Sequence, residues 1–87
     1  MKMKMEECQE IARQAVRATL APLPPWPKSY DEEIVLGAHL DDAHWVFELY
    51  LPRPRPEDAV VLVEATVNRA TGEVRTTAYP ERWTPAS

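Results

Sequence analysis

His39 and His44 bracket the pair Asp41-Asp42, and this is the densest grouping of metal-ligand residue types in the chain. In a β-hairpin with a two- or four-residue loop around the two aspartates, the imidazoles stand side by side across the strands, as half of a zinc site. Zinc takes three or four ligands in tetrahedral array, and the spacing supplies no third. The plainer reading is a solvated hairpin end with no metal. Glu48 and Glu64 fall at positions sharing one face of neighbouring predicted strands. Two carboxylates across a cleft can divide acid and base work between them. No histidine, lysine or serine is placed by the pattern to complete a mechanism, and such carboxylates more often mark the wet face of a sheet. Cys8 lies in the first turn of a predicted helix, where the helix dipole can lower a thiol pKa, but its place on the apolar stripe favours a small core residue. The two glycines, Gly37 and Gly72, rule out a glycine-rich phosphate loop, and no CxxC or GxSxG occurs. These residues predict no catalytic centre and no cofactor; the chain reads as a binder, not an enzyme.

The elements that would carry these groups follow from periodicity. Met5, Cys8, Ile11/Ala12, Ala15/Val16, Thr19 and Leu20 recur at three- and four-residue steps, which predicts a helix over 5–21. Glu6, Glu7 and Glu10 near its start and Arg13 and Arg17 later suit the helix dipole. Pro22, Pro24, Pro25 and Pro27 stop it and stiffen the connector, with Trp26 expected to fold back on the core. Residues 32–41 and 44–51 alternate as a hairpin. The pattern pairs Ala38 with Trp45, Leu36 with Phe47 and Ile34 with Leu49, and on the opposite face His39 with His44 and Val35 with Glu48.

Three alternate prolines make Pro52–Asp58 a projecting, polyproline-like loop. A third strand over 59–68 directs Val61, Val63, Ala65 and Val67 one way and Val60, Leu62, Glu64 and Thr66 the other. Ala70-Thr71-Gly72 forms a turn, with Gly72 suited to positive φ. A last strand over 73–79 buries either Val74/Thr76/Ala78 or Arg75/Thr77/Tyr79, depending on a bulge at the turn. Tyr79–Trp83 and a short polar tail finish the chain. The expected fold class is α+β: one domain over 1–87, with an N-terminal helix packed on a four-stranded antiparallel sheet.

Composition narrows the function. Eighty-seven residues, 45% of them hydrophobic, make one small globular domain. One cysteine allows no internal disulfide, which favours a reducing cytoplasm. The basic N-terminus is followed at once by Glu6-Glu7 and has no apolar core of a signal peptide. No apolar run approaches the roughly 20 residues of a membrane span. The expectation is a soluble, cytoplasmic protein that does not bind a membrane. Net charge is −4 and the arginines are scattered, so nucleic acid is not the expected partner.

The outer sheet face, away from the helix, mixes Val35, Val46, Tyr50, Val60 and Leu62 with His39, Glu48, Glu64 and Thr66. That is more apolar than a wet face should be. Either the C-terminal segment with Trp83 covers it or another chain does, including a second copy in a homodimer. Asp31-Glu32-Glu33, Asp41-Asp42 and Glu57-Asp58 form an acidic rim that would steer a cationic protein partner, the plainer reading of each run being a solvated loop. Asp31, Glu32, Glu33, Asp41 and Asp42, with Glu48, Tyr50 and Glu64, form the candidate partner-binding set.

Three stretches carry a family resemblance: Glu7-Cys8-Gln9-Glu10-Ile11-Ala12-Arg13-Gln14-Ala15, then His44-Trp45-Val46-Phe47, then Val67-Asn68-Arg69-Ala70-Thr71-Gly72-Glu73-Val74. In them the chain resembles the small bacterial immunity proteins of the YrhB type. It is also similar to PepSY domains, in which an Asn/Asp-x-x-Thr-Gly-Glu-Val hairpin follows a helix and strands. The likeness covers most of the chain in order of elements, and Asn68–Val74 is its sharpest motif. It implies a cystatin-like or PepSY-like layout. The immunity likeness implies a non-catalytic protein that binds and neutralises a toxin or nuclease. PepSY domains imply a small-molecule or peptide-binding module, though they are usually exported and no export signal is present. The Pro52–Pro56 loop belongs to neither pattern. A phage-encoded inhibitor of a host defence protein is a further alternative.

Overall fold

The computed structural model describes residues 2–84; Met1 and residues 85–87, the end of the polar tail, lie outside them. The expected α+β architecture is present: one N-terminal helix on a four-stranded antiparallel sheet. Helix α1 spans Met5–Leu20, with Glu6 and Glu7 in its first turn and Arg17 in its last. Its start is tied down where the Lys4 backbone N–H donates to Glu7 Oε1 at 3.3 Å. Cys8 and Ala12 are buried along its stripe, and Ile11, Val16 and Leu20 are half-buried. Small residues at the centre of the stripe let the helix approach the sheet closely.

Strands β1 (Val35–Asp41), β2 (His44–Leu51), β3 (Val60–Asn68) and β4 (Val74–Ala78) form a simple meander in the order β1-β2-β3-β4. β1 begins later than the expected residue 32, because Lys28–Glu32 wind into a 3-10 turn. That turn is closed by Tyr30 N–H donating to Pro27 O (2.9 Å) and Ile34 N–H to Tyr30 O (2.8 Å). Pro56–Asp58 form another short 3-10 turn within the exposed proline loop, where an extended polyproline segment was expected.

The first hairpin keeps the expected faces but slips by two residues. Asp41 pairs with His44 across a loop of Asp42 and Ala43, so Ala38 faces Phe47, Leu36 faces Leu49 and Leu40 faces Trp45. Asp42 takes the positive φ (54°) that the tight loop requires, a conformation aspartate tolerates. His39 consequently lies opposite Val46, not His44, and Val35 opposite Tyr50, not Glu48. A slip of two preserves the inward and outward alternation, so the pattern alone could not choose between these registers.

β3 departs from the expected alternation. Leu49 pairs with Val63 but Tyr50 pairs with Val61, leaving Leu62 as the extra residue of a bulge. Leu62 is fully buried, as are Val63, Ala65 and Val67, while Val61 joins the outer face. Val60 turns inward opposite Leu51 and packs against the core. Two residues expected on the outer face, Val60 and Leu62, therefore leave it. In β4 the open choice resolves to Val74, Thr76 and Ala78 on the helix side, half-buried, with Arg75 and Thr77 exposed. Thr19 and Thr76 share a hydrogen bond of 2.6 Å that joins the helix to this strand.

The core has two centres among the described residues. Cys8, Ala12, Phe47, Ala65 and Val67 form one beneath the helix. Leu51, Leu62 and Trp83 form the other, with Leu20, Leu23 and Trp26 packed against it. Trp83 is therefore a core residue on the helix side and does not cover the outer face. Trp26 folds back onto it edge-to-face at 5.5 Å, and Trp83 Nε1 donates to Pro24 O at 2.8 Å. The proline segment is thus pinned between the end of the helix and Trp83.

Candidate functional site

The predicted partner-binding residues separate into two groups. Glu48, Tyr50 and Glu64 stand on the outer face. Glu48 pairs directly with Glu64, placing two carboxylates opposite each other on neighbouring strands, where like charges cost a few tenths of a kcal/mol or more. The cost is eased by Tyr79, whose hydroxyl donates to Glu64 Oε1 at 3.0 Å. That hydrogen bond, then burial and the Glu64 charge, push the Tyr79 phenol above its ordinary value of 10.0. Arg82 lies 4.0 Å above the Tyr79 ring and donates through Nη1 to Val61 O at 2.6 Å. Tyr79 and Arg82, rather than Trp83, are the part of the C-terminal segment that reaches this face. Tyr50 runs across β1 over Gly37, where an added Cβ would meet its ring at 3.1 Å. Glycine at this position lets the ring lie close.

Asp31, Glu32, Glu33, Asp41 and Asp42 form the second group. The first three lie just before β1, separated from it by Ile34; Asp41 is its last residue, and Asp42 follows in the hairpin loop. All are exposed. Asp31 is held in place by Trp26 Nε1, which donates to its Oδ1 at 3.0 Å. The two acidic groups thus stand at opposite ends of one edge strand.

Other groups weighed for chemistry do not assemble. No cluster of three or more possible ligands among histidine, cysteine, aspartate and glutamate occurs among the described residues. Burial, and then the neighbouring Glu7 carboxylate, push the Cys8 thiol above 9.0, the opposite of what a reactive thiol needs. Glu10 is held down to about 2 by hydrogen bonds from Arg13 and Gln14, an exposed helix-surface pairing.

Sequence reasoning overlooked the helix-side face of β1. A helix is about 10 Å wide with its side chains, whereas four strands spaced about 4.8 Å apart make a broader sheet. α1 packs mainly on β3 and β4, only sparsely on β2, and at most marginally on β1. Leu36 and Leu40 of β1 are consequently 48% and 47% exposed, although their alternation marks them as inward residues. A groove of about 180 Å³ runs between α1 and this strand, lined by Ala12, Val16, Leu36, Phe47 and Leu49 among others. Trp45 stands opposite Leu40 and stacks on Phe47 at 6.2 Å, and its buried Nε1 has no hydrogen-bond partner among the described residues. The signal was in the sequence: one helix has one stripe, and one stripe cannot cover four strands.

The backbone of β1 is open as well. Arg69 N–H donates to Ala43 O at 3.0 Å, so Ala43 bonds towards β3 and the next residue, His44, bonds towards β1. Alternation then turns the backbone groups of Asp41, His39, Gly37 and Val35 inward to β2. Those of Leu36, Ala38 and Leu40 point out of the sheet. The other edge, β4, has five residues, carries exposed Arg75 and lies against α1. Among the described residues β1 is the longer sheet edge, apolar at Val35, Leu36, Ala38 and Leu40 and flanked by acidic residues at both ends. Comparison of the chain with protein-family models, with curated proteins and with solved structures finds no match.

Proposed function

We propose that this protein is a non-catalytic binding module that engages a basic protein partner, as the likeness to small immunity proteins implies. In that reading it is an inhibitor that binds and neutralises a toxin or nuclease. The observation carrying it is the joint placement of exposed apolar side chains and acidic residues along β1, with Leu36 and Leu40 about half-exposed between Asp31–Glu33 and Asp41–Asp42. Apolar surface supplies the affinity of an interface, and flanking charge supplies encounter rate and partner choice. Glu48, Tyr50 and Glu64 form a second contact surface on the outer face. A lone buried cysteine needs no oxidising compartment, which fits a site of action in the cytoplasm. No helix among the described residues is long and apolar enough to cross a membrane.

The test is affinity capture from the source organism's lysate with the tagged chain, followed by mass spectrometry. The expected result is one basic toxin or nuclease in stoichiometric amount, lost when Asp31–Glu33 and Asp41–Asp42 are reversed to lysine. Recovery of this chain alone points to a homodimer closed over the outer face and removes the support for an inhibitor. A second reading, a PepSY-like module for a small apolar ligand, is favoured by the groove of about 180 Å³. Capture of no protein, with saturable binding of an apolar dye displaced by Leu36→Asp, would select it.

A further inference from the structure

We propose that the partner binds by adding a strand to the free edge of β1, through an extended segment whose alternate residues are apolar and whose ends carry lysine or arginine; this rests on the reading of a basic protein partner. The backbone sets the register. Leu36, Ala38 and Leu40 direct their N–H and C=O groups away from β2, because their neighbours Gly37 and His39 pair inward with Glu48 and Val46. The same three residues share the helix-side face, where Leu36 lines the groove opposite Ala12, Arg13 and Val16 of α1. Residues directly opposite in a hydrogen-bonded antiparallel pair share a face. The incoming residues that bond to this edge would therefore set their own side chains beside Leu36, Ala38 and Leu40, with the helix overhanging them. Alternate positions must be apolar, and the positions between them face solvent.

Charge selects the ends. Asp31, Glu32 and Glu33 precede the strand and Asp41 and Asp42 close it, with no lysine or arginine between. A strand of seven residues is about 23 Å long, so the two acidic groups lie well beyond a Debye length of about 8 Å and act on separate ends of the ligand. The same charges work against a second copy of this chain. Antiparallel pairing of two β1 strands about Ala38 sets Val35 opposite Asp41 and brings Glu33 of one copy beside Asp42 of the other. Acidic residues flanking an open apolar edge thus act as guards against self-pairing, while lysine or arginine at the ends of an incoming strand meets carboxylates; Arg13, which lines the groove, is itself paired with Glu10.

The experiment uses the full chain and a nine-residue capped peptide of alternating valine and threonine between two lysines at each end. Amide NMR at low salt should show slowed hydrogen exchange at Leu36, Ala38 and Leu40, with little change at Gly37 and His39. The same peptide flanked by glutamates should bind at least about tenfold more weakly, and 0.5 M salt should weaken the lysine peptide. Ala38→Pro removes one outward donor at an edge position where proline is tolerated, and should abolish binding without lowering the melting temperature. Should that variant fail to fold, the charge-reversed peptide on the unaltered chain decides. Perturbations centred on Glu48, Tyr50 and Glu64 would overturn strand addition and leave the basic-partner reading standing. Absence of binding at every site would overturn both. A dimer in sedimentation velocity that strengthens with salt would give the edge to a second copy and overturn the proposal.

Discussion

Replacing Leu62 with alanine removes the end of a fully buried side chain at the point where β3 departs from regular alternation. Its neighbours in the second core centre, Leu51 and Trp83, are also buried, and Trp83 is fixed by its hydrogen bond to Pro24. Surroundings held in this way relax little into the space left behind. Leucine-to-alanine changes in such sites cost about 2–5 kcal/mol, and the constraint on Trp83 places this one near 3–4 kcal/mol. For a chain of 87 residues the total stability is on the order of 4–13 kcal/mol, so the loss takes roughly a quarter of it or more. Its melting temperature should fall by roughly 15–25 °C. Urea unfolding at 25 °C, followed by tryptophan fluorescence, measures the difference directly, with Val61→Ala as the companion. Val61 stands on the outer face, half-buried, and its truncation should cost about 1 kcal/mol or less. The reverse order, a costly Val61→Ala and a Leu62→Ala within about 0.5 kcal/mol of the original, would refute the bulge and restore regular alternation.

Phe47 is 4% exposed beneath α1 and also lines the groove, so Phe47→Ala should cost about 3 kcal/mol, the low end for this change because the new space opens to water; unchanged melting behaviour would contradict its burial. Cys8 should resist an aromatic disulfide reagent at pH 8 in the folded state and react fully in denaturant, and rapid labelling of the folded chain would overturn the core assignment. Tyr79 has a folded pKa raised above 10.0, chiefly by its hydrogen bond to Glu64, so its contribution is complete below pH 10 and is lost as pH rises through the raised value. Unfolding free energies at pH 8 and pH 11 should therefore converge more closely in Tyr79→Phe than in the original chain; an identical alkaline loss in both would show the hydrogen bond to be absent in solution.

Periodicity in the chain determined the helix, the four strands and which residues of the first hairpin face the helix side. Helical and strand geometry impose these patterns locally, and the prolines from Pro22 to Pro27 stop the helix whatever surrounds it. Local pattern has limits, and each miss falls on one. Registers two residues apart present identical faces, so the choice between Ala38–Trp45 and Ala38–Phe47 went to the tight loop at Asp42-Ala43. The run Val60-Val61-Leu62-Val63 is apolar throughout, so a bulge within it leaves no trace in alternation. The buried face of β4 was decided by where α1 lies, with Thr19 meeting Thr76. Glu48 and Glu64 were legible as neighbours on one face, and the acidic runs were legible as charge. That Asp31–Glu33 and Asp41–Asp42 bracket one open strand depended on the helix settling over β3 and β4, because a single helix is too narrow to cover the whole sheet.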